Sequence, residues 1–234
     1  MSVRYGIDLV LQPSYTAKLY QARQILCGQY SSWAAEMQML RMALTPFFPC
    51  ADDRLSILAS QIEEIARNTS TEKPYTLART AIVADHSING VVIEFQAPPP
   101  LFELQRNVLE AAQANSPGID TPESFQPRIA LLEYGAFPEA ILPAAADFAA
   151  GVASGLDMTD MALPWRLLLT RYSSQAAGDD WSDGRWAADL SWQQLYSHPL
   201  YTEVASVFEL LNSVGEQPGE EGGQRRGLGR LFGR

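Results

Sequence analysis

The sequence predicts an α+β fold made of two pseudo-repeated lobes, each a β-α-β-α-β-β run. Three landmarks carry this reading. Gly90-Val91-Val92-Ile93-Glu94-Phe95-Gln96 aligns with Gly6-Ile7-Asp8-Leu9-Val10-Leu11-Gln12 at an offset of 84. Arg128-Ile129-Ala130-Leu131 aligns with Arg41-Met42-Ala43-Leu44 at 87, and Phe137-Pro138 with Phe48-Pro49 at 89. Near-constant offsets over separate landmarks mark an internal duplication, with each sheet covered by helices.

Each element then follows from local pattern. Residues 4–12 alternate, with Tyr5, Ile7, Leu9 and Leu11 on one side of a half-buried strand. A helix from Ser14 carries Leu19, Ala22 and Leu26 on one face, and Leu40 to Phe47 reads as a second strand. Leu55, Leu58, Ile62 and Ile65 recur at helical spacing over 53–67. Tyr75–Ala84 and Gly90–Ala97 form two strands joined by a connection ending in Asn89-Gly90. The order then restarts. A helix from about Pro100 presents Leu101, Leu104, Val108 and Ala111, the Arg128 strand follows, and another helix ends near Gly155, read as its C-cap. Trp165–Tyr172 and Gly184–Trp192 close the second unit as alternating strands. Lobe one thus covers about 1–97 and lobe two about 90–200, with strand 90–97 shared, in one domain over 1–201. Val204, Val207, Phe208 and Leu211 predict a short amphipathic helix over 202–214, followed by a flexible Gly/Glu/Pro linker and basic tail over 215–234.

Bulk properties narrow the function. With 234 residues, 47% hydrophobic and 19% charged, the chain is long enough for a sizeable soluble core. A net charge of -10 disfavours nucleic acid as a partner. Cys27 and Cys50 share no motif and read as partly buried thiols of a reducing compartment. The chain enters a strand pattern at once, without the charged start and apolar run of a signal peptide, and has no membrane-length apolar stretch. The expected location is the cytoplasm.

The layout resembles the two-histidine (2H) phosphoesterase superfamily, the LigT-like or 2′-5′ RNA ligase-like fold. Beyond the landmarks above, the resemblance rests on Phe125-Gln126-Pro127 before the second tetrapeptide, and on Trp165–Tyr172 with a later Pro199-Leu200 as a closing hairpin. It covers roughly residues 3–200. It implies two lobes around a central cleft, each giving one His-x-Thr/Ser-x strand, and a hydrolysis in which one imidazole takes a proton from water and the other donates to the leaving oxygen. In this chain those strands read Arg41-Met42-Ala43-Leu44 and Arg128-Ile129-Ala130-Leu131, so Arg41, Ala43, Arg128 and Ala130 are degenerate motif positions.

Strand period locates the change. Residues i and i+2 share a face, so Arg41 with Ala43, and Arg128 with Ala130, face the expected cleft, while Met42, Leu44, Ile129 and Leu131 keep an apolar core face. Imidazole suits acid–base work because its pKa of about 6.5 lets it both accept and donate near neutrality. A guanidinium, with a pKa above about 12, does neither at pH 7. Losing one general acid or base costs about 100- to 10,000-fold, and here both are replaced. Arg41 and Arg128 could instead hold a phosphate or carboxylate without cutting it, or pair with local acids. The only histidines are His86, in a loop between strands, and His198, after the last strand; each reads as a surface or edge residue.

No metal site or cofactor is expected. Phosphate-loop, CxxC, HExxH and G-x-S-x-G motifs are absent, and Asp179–Gly184 has the wrong spacing for calcium. Trp186, Ala188, Leu190 and Trp192 alternate as one strand face, which reads as core, with an edge-exposed tryptophan patch for binding as the alternative. The last ten residues carry Arg225, Arg226, Arg230 and Arg234 among Leu228, Leu231 and Phe232, a docking peptide for an acidic partner groove, an anionic membrane surface or the body itself. Without its four arginines, 13 basic residues face 27 acidic ones. The reading is therefore a catalytically inactive 2H-like binding or adaptor protein with a protein partner. The alternatives are a divergent cyclic phosphodiesterase or RNA-end-processing enzyme, and a sensor of a small phosphate-containing anion or nucleotide using Arg41 and Arg128.

Overall fold

A computed structural model describes residues 1–201 except 71–73, 120–123, 136, 177, 179–180 and 182–183. In chain order, β1 (Ser2–Leu11) leads into α1 (Pro13–Tyr30), the short α2 (Trp33–Glu36), β2 (Met42–Ala43) and α3 (Asp52–Ser70). Then come β3 (Leu77–Asp85), β4 (Gly90–Gln96), α4 (Pro99–Asn115), β5 (Arg128–Leu132), α5 (Leu142–Gly155), β6 (Met161–Ala162), β7 (Pro164–Ser174) and β8 (Ser191–Pro199). Proline opens α1, α4 and α5 within their first two positions, where its missing N–H has no helical partner to lose. The predicted helix over 202–214 and the tail lie outside the described residues.

Two antiparallel four-stranded sheets run in the orders β2-β1-β7-β8 and β5-β4-β3-β6. The alignment of Gly6 with Gly90 and of Arg41 with Arg128 reappears in space: β1 and β4 hold equivalent places, as do β2 and β5. The closing hairpins, however, are exchanged. β7 and β8, from the end of the second repeat, complete the sheet of β1 and β2, while β3, from the first, joins β4 and β5. Helices exchange as well. α1, which follows β1, lies against α5 and β5, and α3, packed on α4, lies beside β7 and β8.

The exchange explains the burial of β1. It lies between β2 and β7, so Tyr5 through Leu9 are all buried, rather than one face alone. Tyr5, Ile7 and Leu9 fill one side, and Asp8 sits wholly buried on the other. β2 is shorter than the predicted 40–47 strand. Its ladder is interrupted after Ala43, where the Thr45 hydroxyl takes the Ile7 N–H at 3.0 Å and Pro46 has no N–H to give, and pairing resumes only at the Tyr5–Phe48 bridge.

Two further expectations are corrected. The predicted strand over 184–192 is not one: Arg185–Ala188 form a 3₁₀ turn and the strand begins at Ser191. Trp186 and Leu190 are buried as expected, but Trp192 is 39% exposed on the edge strand β8. α5 ends with Gly155 inside the helix and Leu156 as its cap, and the left-handed turn falls on Asp157 at φ 49°.

Candidate functional site: a two-lobed cleft lined by arginines

The tetrapeptide strands stand at matching edges of the two sheets and adjoin each other. Met42, Leu44, Ile129 and Leu131 are each at most 1% exposed, whereas Arg41, Ala43, Arg128 and Ala130 turn away from the core. Those four positions line two adjoining cavities. One, of about 460 Å³, runs from Ala43 and Thr45 to Phe125 and Arg128. The other, of about 150 Å³, is walled by Arg23, Arg41, Arg128, Ala130 and Glu133.

Register dictates how Arg41 is held. Ala43 pairs directly with Asp8, so Arg41 lies diagonally from Asp8 on the same face. Its Nη1 donates to Asp8 Oδ1 at 2.7 Å, and the Tyr172 hydroxyl donates to Oδ2 at 2.6 Å. The guanidinium carbon lies 5.0 Å from the ring centroids of both Phe47 and Tyr172. Burial alone would lower the Arg41 pKa, but the Asp8 charge and hydrogen bond outweigh it and raise it further. The Tyr172 hydroxyl is pushed well above its usual range, chiefly by burial. Phe47 continues into a ring cluster, with centroids 4.8 Å from Tyr172, 4.9 Å from Trp186 and 5.1 Å from Trp181.

Arg128 is held more loosely. Its Nη1 donates to Asp85 Oδ2, reaching across β4 to the end of β3. Arg128 is 36% exposed against 15% for Arg41. Burial pushes the Asp85 carboxyl up, but hydrogen bonds from Ser87 and the Arg128 charge hold it below the usual carboxylate range. The β3–β4 connection, with Ile88 in the wall of the smaller cavity, therefore borders the cleft. The imidazole of His86 itself turns outward, with Nδ1 2.6 Å from Glu139 Oε1. His198 lies on β8, stacked on Tyr196 at 6.4 Å, and burial lowers its pKa. Neither ring lines either of these two cavities.

Three cleft residues escaped sequence reasoning. Arg23, from α1, is 1% exposed and donates from Nη1 to the Gln38 carbonyl and from Nη2 to the Ala130 carbonyl, both at 2.5 Å. Its Nε–H has no partner among the described residues, and burial lowers its pKa. Gln105, from α4, makes the matching contact in the other lobe, donating to the Leu44 carbonyl at 3.2 Å. Glu133, next after β5, lines the smaller cavity. Burial raises its carboxyl, and Arg41, Arg23 and Arg128 pull it back only in part. The one signal for Asp8 and Arg23 was a charge on an otherwise apolar strand or helix face.

No family model and no curated protein matches the chain. Solved structures do. A crystal structure of a phosphoesterase superposes with a TM-score of 0.55 at 14% identity, covering 86% of this chain and 100% of its own. The chain has the LigT fold. E. coli LigT complexed with phosphate superposes with a TM-score of 0.52 at 14% identity, covering 85% of this chain and 98% of LigT. TT0787 of Thermus thermophilus gives 0.52 and 14%, with 86% and 99% covered. The two-lobed architecture expected from the repeat, and the LigT-like fold expected from the resemblance, are thus the ones found. Among the described residues no helix is long and apolar enough to cross a membrane, and no cluster of three His, Cys, Asp or Glu could hold a metal.

Proposed function

We propose that this chain is a non-hydrolytic protein on the LigT fold, acting by binding as a cytoplasmic adaptor. One observation supports the reading: the two positions that the resemblance equates with the family's histidines, Arg41 and Arg128, carry guanidiniums each already paired with a carboxylate. Such a group neither accepts nor releases a proton near neutrality. Purified protein should show no turnover of 2′,3′-cyclic nucleotides above background between pH 6 and 8. Turnover that survives Arg41→Ala and Arg128→Ala would overturn the reading in favour of a divergent cyclic phosphodiesterase or RNA-end-processing enzyme. Arg225, Arg226, Arg230 and Arg234 with Leu228, Leu231 and Phe232, outside the described residues, are the proposed protein-docking peptide; its removal should abolish partner capture at unchanged melting temperature.

A second reading, an anion or nucleotide sensor, is favoured by the guanidinium-lined 150 Å³ cavity. E. coli LigT has been crystallised with phosphate, with NADP+ and with ATP. A phosphate-containing ligand should then raise the melting temperature, and less so with Arg128→Ala or added salt.

A further inference from the structure

Charge in the smaller cavity is balanced within the chain. Arg41 is matched by Asp8 and Arg128 by Asp85, both through direct ion pairs. Arg23 has no such partner among the described residues. It gives two of its hydrogen-bonding arms to backbone carbonyls, which carry no formal charge, and leaves its Nε–H unpaired in a fully buried setting. The remaining negative group on the cavity wall is Glu133. Its carboxylate makes no direct hydrogen bond among the described residues, although the charges of Arg41, Arg23 and Arg128 all reach it. A half-buried carboxylate facing three cations without engaging one is in the position an external anion would take.

The backbone around Glu133 is tightly determined. Tyr134 adopts φ 50°, a left-handed conformation uncommon for a residue with a side chain. Its N–H donates to the Ile88 carbonyl at 2.6 Å, and its ring centroid lies 5.0 Å from that of Trp186, in the space a Cβ on Gly184 would need. On the preceding side, Gly90 lets β4 approach so closely that a Cβ there would collide with the Leu132 carbonyl. Asn89 Nδ2 then donates to the Gly135 carbonyl at 2.7 Å and to the Phe137 carbonyl at 3.1 Å. The chain on both sides of Glu133 is thus pinned, which holds the carboxyl at the cavity wall.

From this geometry we infer that Glu133 is a built-in anion that competes with a small external oxyanion for the guanidinium-lined cavity, so that oxyanion binding is coupled to uptake of one proton by Glu133. With Glu133 ionised the three arginines face three carboxylates and the cavity is neutral. With Glu133 protonated it carries one net positive charge and an unclaimed Arg23 Nε–H. The titratable and charged groups around the carboxyl are Arg23 of α1, Arg41 beside β2, Arg128 of β5 and the adjacent Tyr134, with Asp8 of β1 and Asp85 of β3 behind the arginines. Burial disfavours the ionised form of Glu133 and also raises the Tyr134 hydroxyl, so the carboxyl takes up a proton more readily than an exposed glutamate would. The inference rests on the reading of the cleft as a binding site without hydrolysis, and deepens it by assigning the ligand class and its control.

Sulfate is the probe, because it remains a dianion from about pH 5 to about pH 8 while phosphate itself titrates. Calorimetric titration of the full chain should give binding at least about tenfold tighter at the lower pH, tenfold corresponding to one pKa unit of linkage. It should also show uptake of a proton when repeated in buffers of different ionisation enthalpy. Glu133→Gln should bind at both pH values about as tightly as the natural chain does at the lower one. A pH slope that survives in Glu133→Gln, or no gain in its affinity at pH 8, would overturn the coupling. Should that variant fail to fold, absence of proton uptake by the natural chain overturns it equally. Turnover of cyclic nucleotides in parallel assays would instead overturn the non-hydrolytic reading and leave the sulfate result to stand on its own.

Discussion

The two tetrapeptide strands align in sequence and occupy equivalent places in the two sheets, yet their arginines are used differently. Arg41 lies between two rings, and its carboxylate partner is wholly buried and takes a second hydrogen bond from Tyr172. Arg128 is more than a third exposed, lies over no aromatic ring among the described residues, and pairs with Asp85 at the end of a strand. The contrast follows from the exchanged hairpins. β7 brings Tyr172 over Asp8 beside the first motif, and the connection before β8 brings Trp181 and Trp186. In the other sheet the matching outer strand, β6, has only two residues and supplies no such cover. Of the two tetrapeptide arginines, one is held largely buried among rings, and the other stays at the cleft surface.

Removing Arg41 breaks the buried half and should have the largest effect. Asp8 would be left charged and unpaired, which costs about 3–5 kcal/mol when one partner of a buried pair is deleted. Arg41→Ala should therefore lower the denaturant midpoint severely. A loss below about 1 kcal/mol would show that water already reaches Asp8 and would erase the contrast. Tyr172→Phe comes next. It removes one hydrogen bond to a buried carboxylate while keeping the ring, for a loss of about 1.5–3 kcal/mol by chemical denaturation.

Much of this contrast was hidden from the sequence, for reasons that can be located. Period-two alternation correctly assigned the cleft and core faces of both tetrapeptides, because it depends only on local pleat geometry. The repeat offsets correctly matched β1 with β4 and β2 with β5. Local pattern does not say which hairpin completes which sheet, so a contiguous reading of each lobe hides that Tyr172 covers Asp8. Strand β8 was misplaced because Trp186, Ala188, Leu190 and Trp192 mimic alternation, while the true edge strand, exposed over most of its length, has no apolar stripe to mark it. Asp8 and Arg23 look like exceptions within apolar patterns until their partners, 33 and 15 residues away, are in place.

Arg128→Ala should cost far less, about 0–1 kcal/mol, since a pair this exposed is screened by solvent. Its pH dependence sharpens the comparison. Asp85 is held below its usual range in the folded state, so its contribution is present above the unfolded value near 3.8 and fades as pH falls through the folded one. The small difference between Arg128→Ala and the natural chain in thermal melts should therefore vanish in acid. A loss as large as that of Arg41→Ala would make the two halves equivalent and refute the asymmetry.

Glu133→Gln should give the smallest change in stability, and its sign is the informative part. Burial raises the Glu133 carboxyl above 4.5 in the folded state, against the pull of Arg41, Arg23 and Arg128. The folded chain thus holds this proton more tightly than the unfolded one. The resulting stabilisation is complete below the unfolded pKa of about 4.5 and is lost as pH rises through the folded value. Glutamine mimics the protonated form at every pH. The variant should match the natural chain in melts near pH 4.5 and exceed it slightly at pH 8, where the natural carboxylate is charged. If glutamine is instead destabilising at pH 8, the carboxylate is a structural ion-pair partner of the arginines. Arg23 would then depend on Glu133 as Arg41 depends on Asp8, and the cleft would be closed to outside anions by its own side chains.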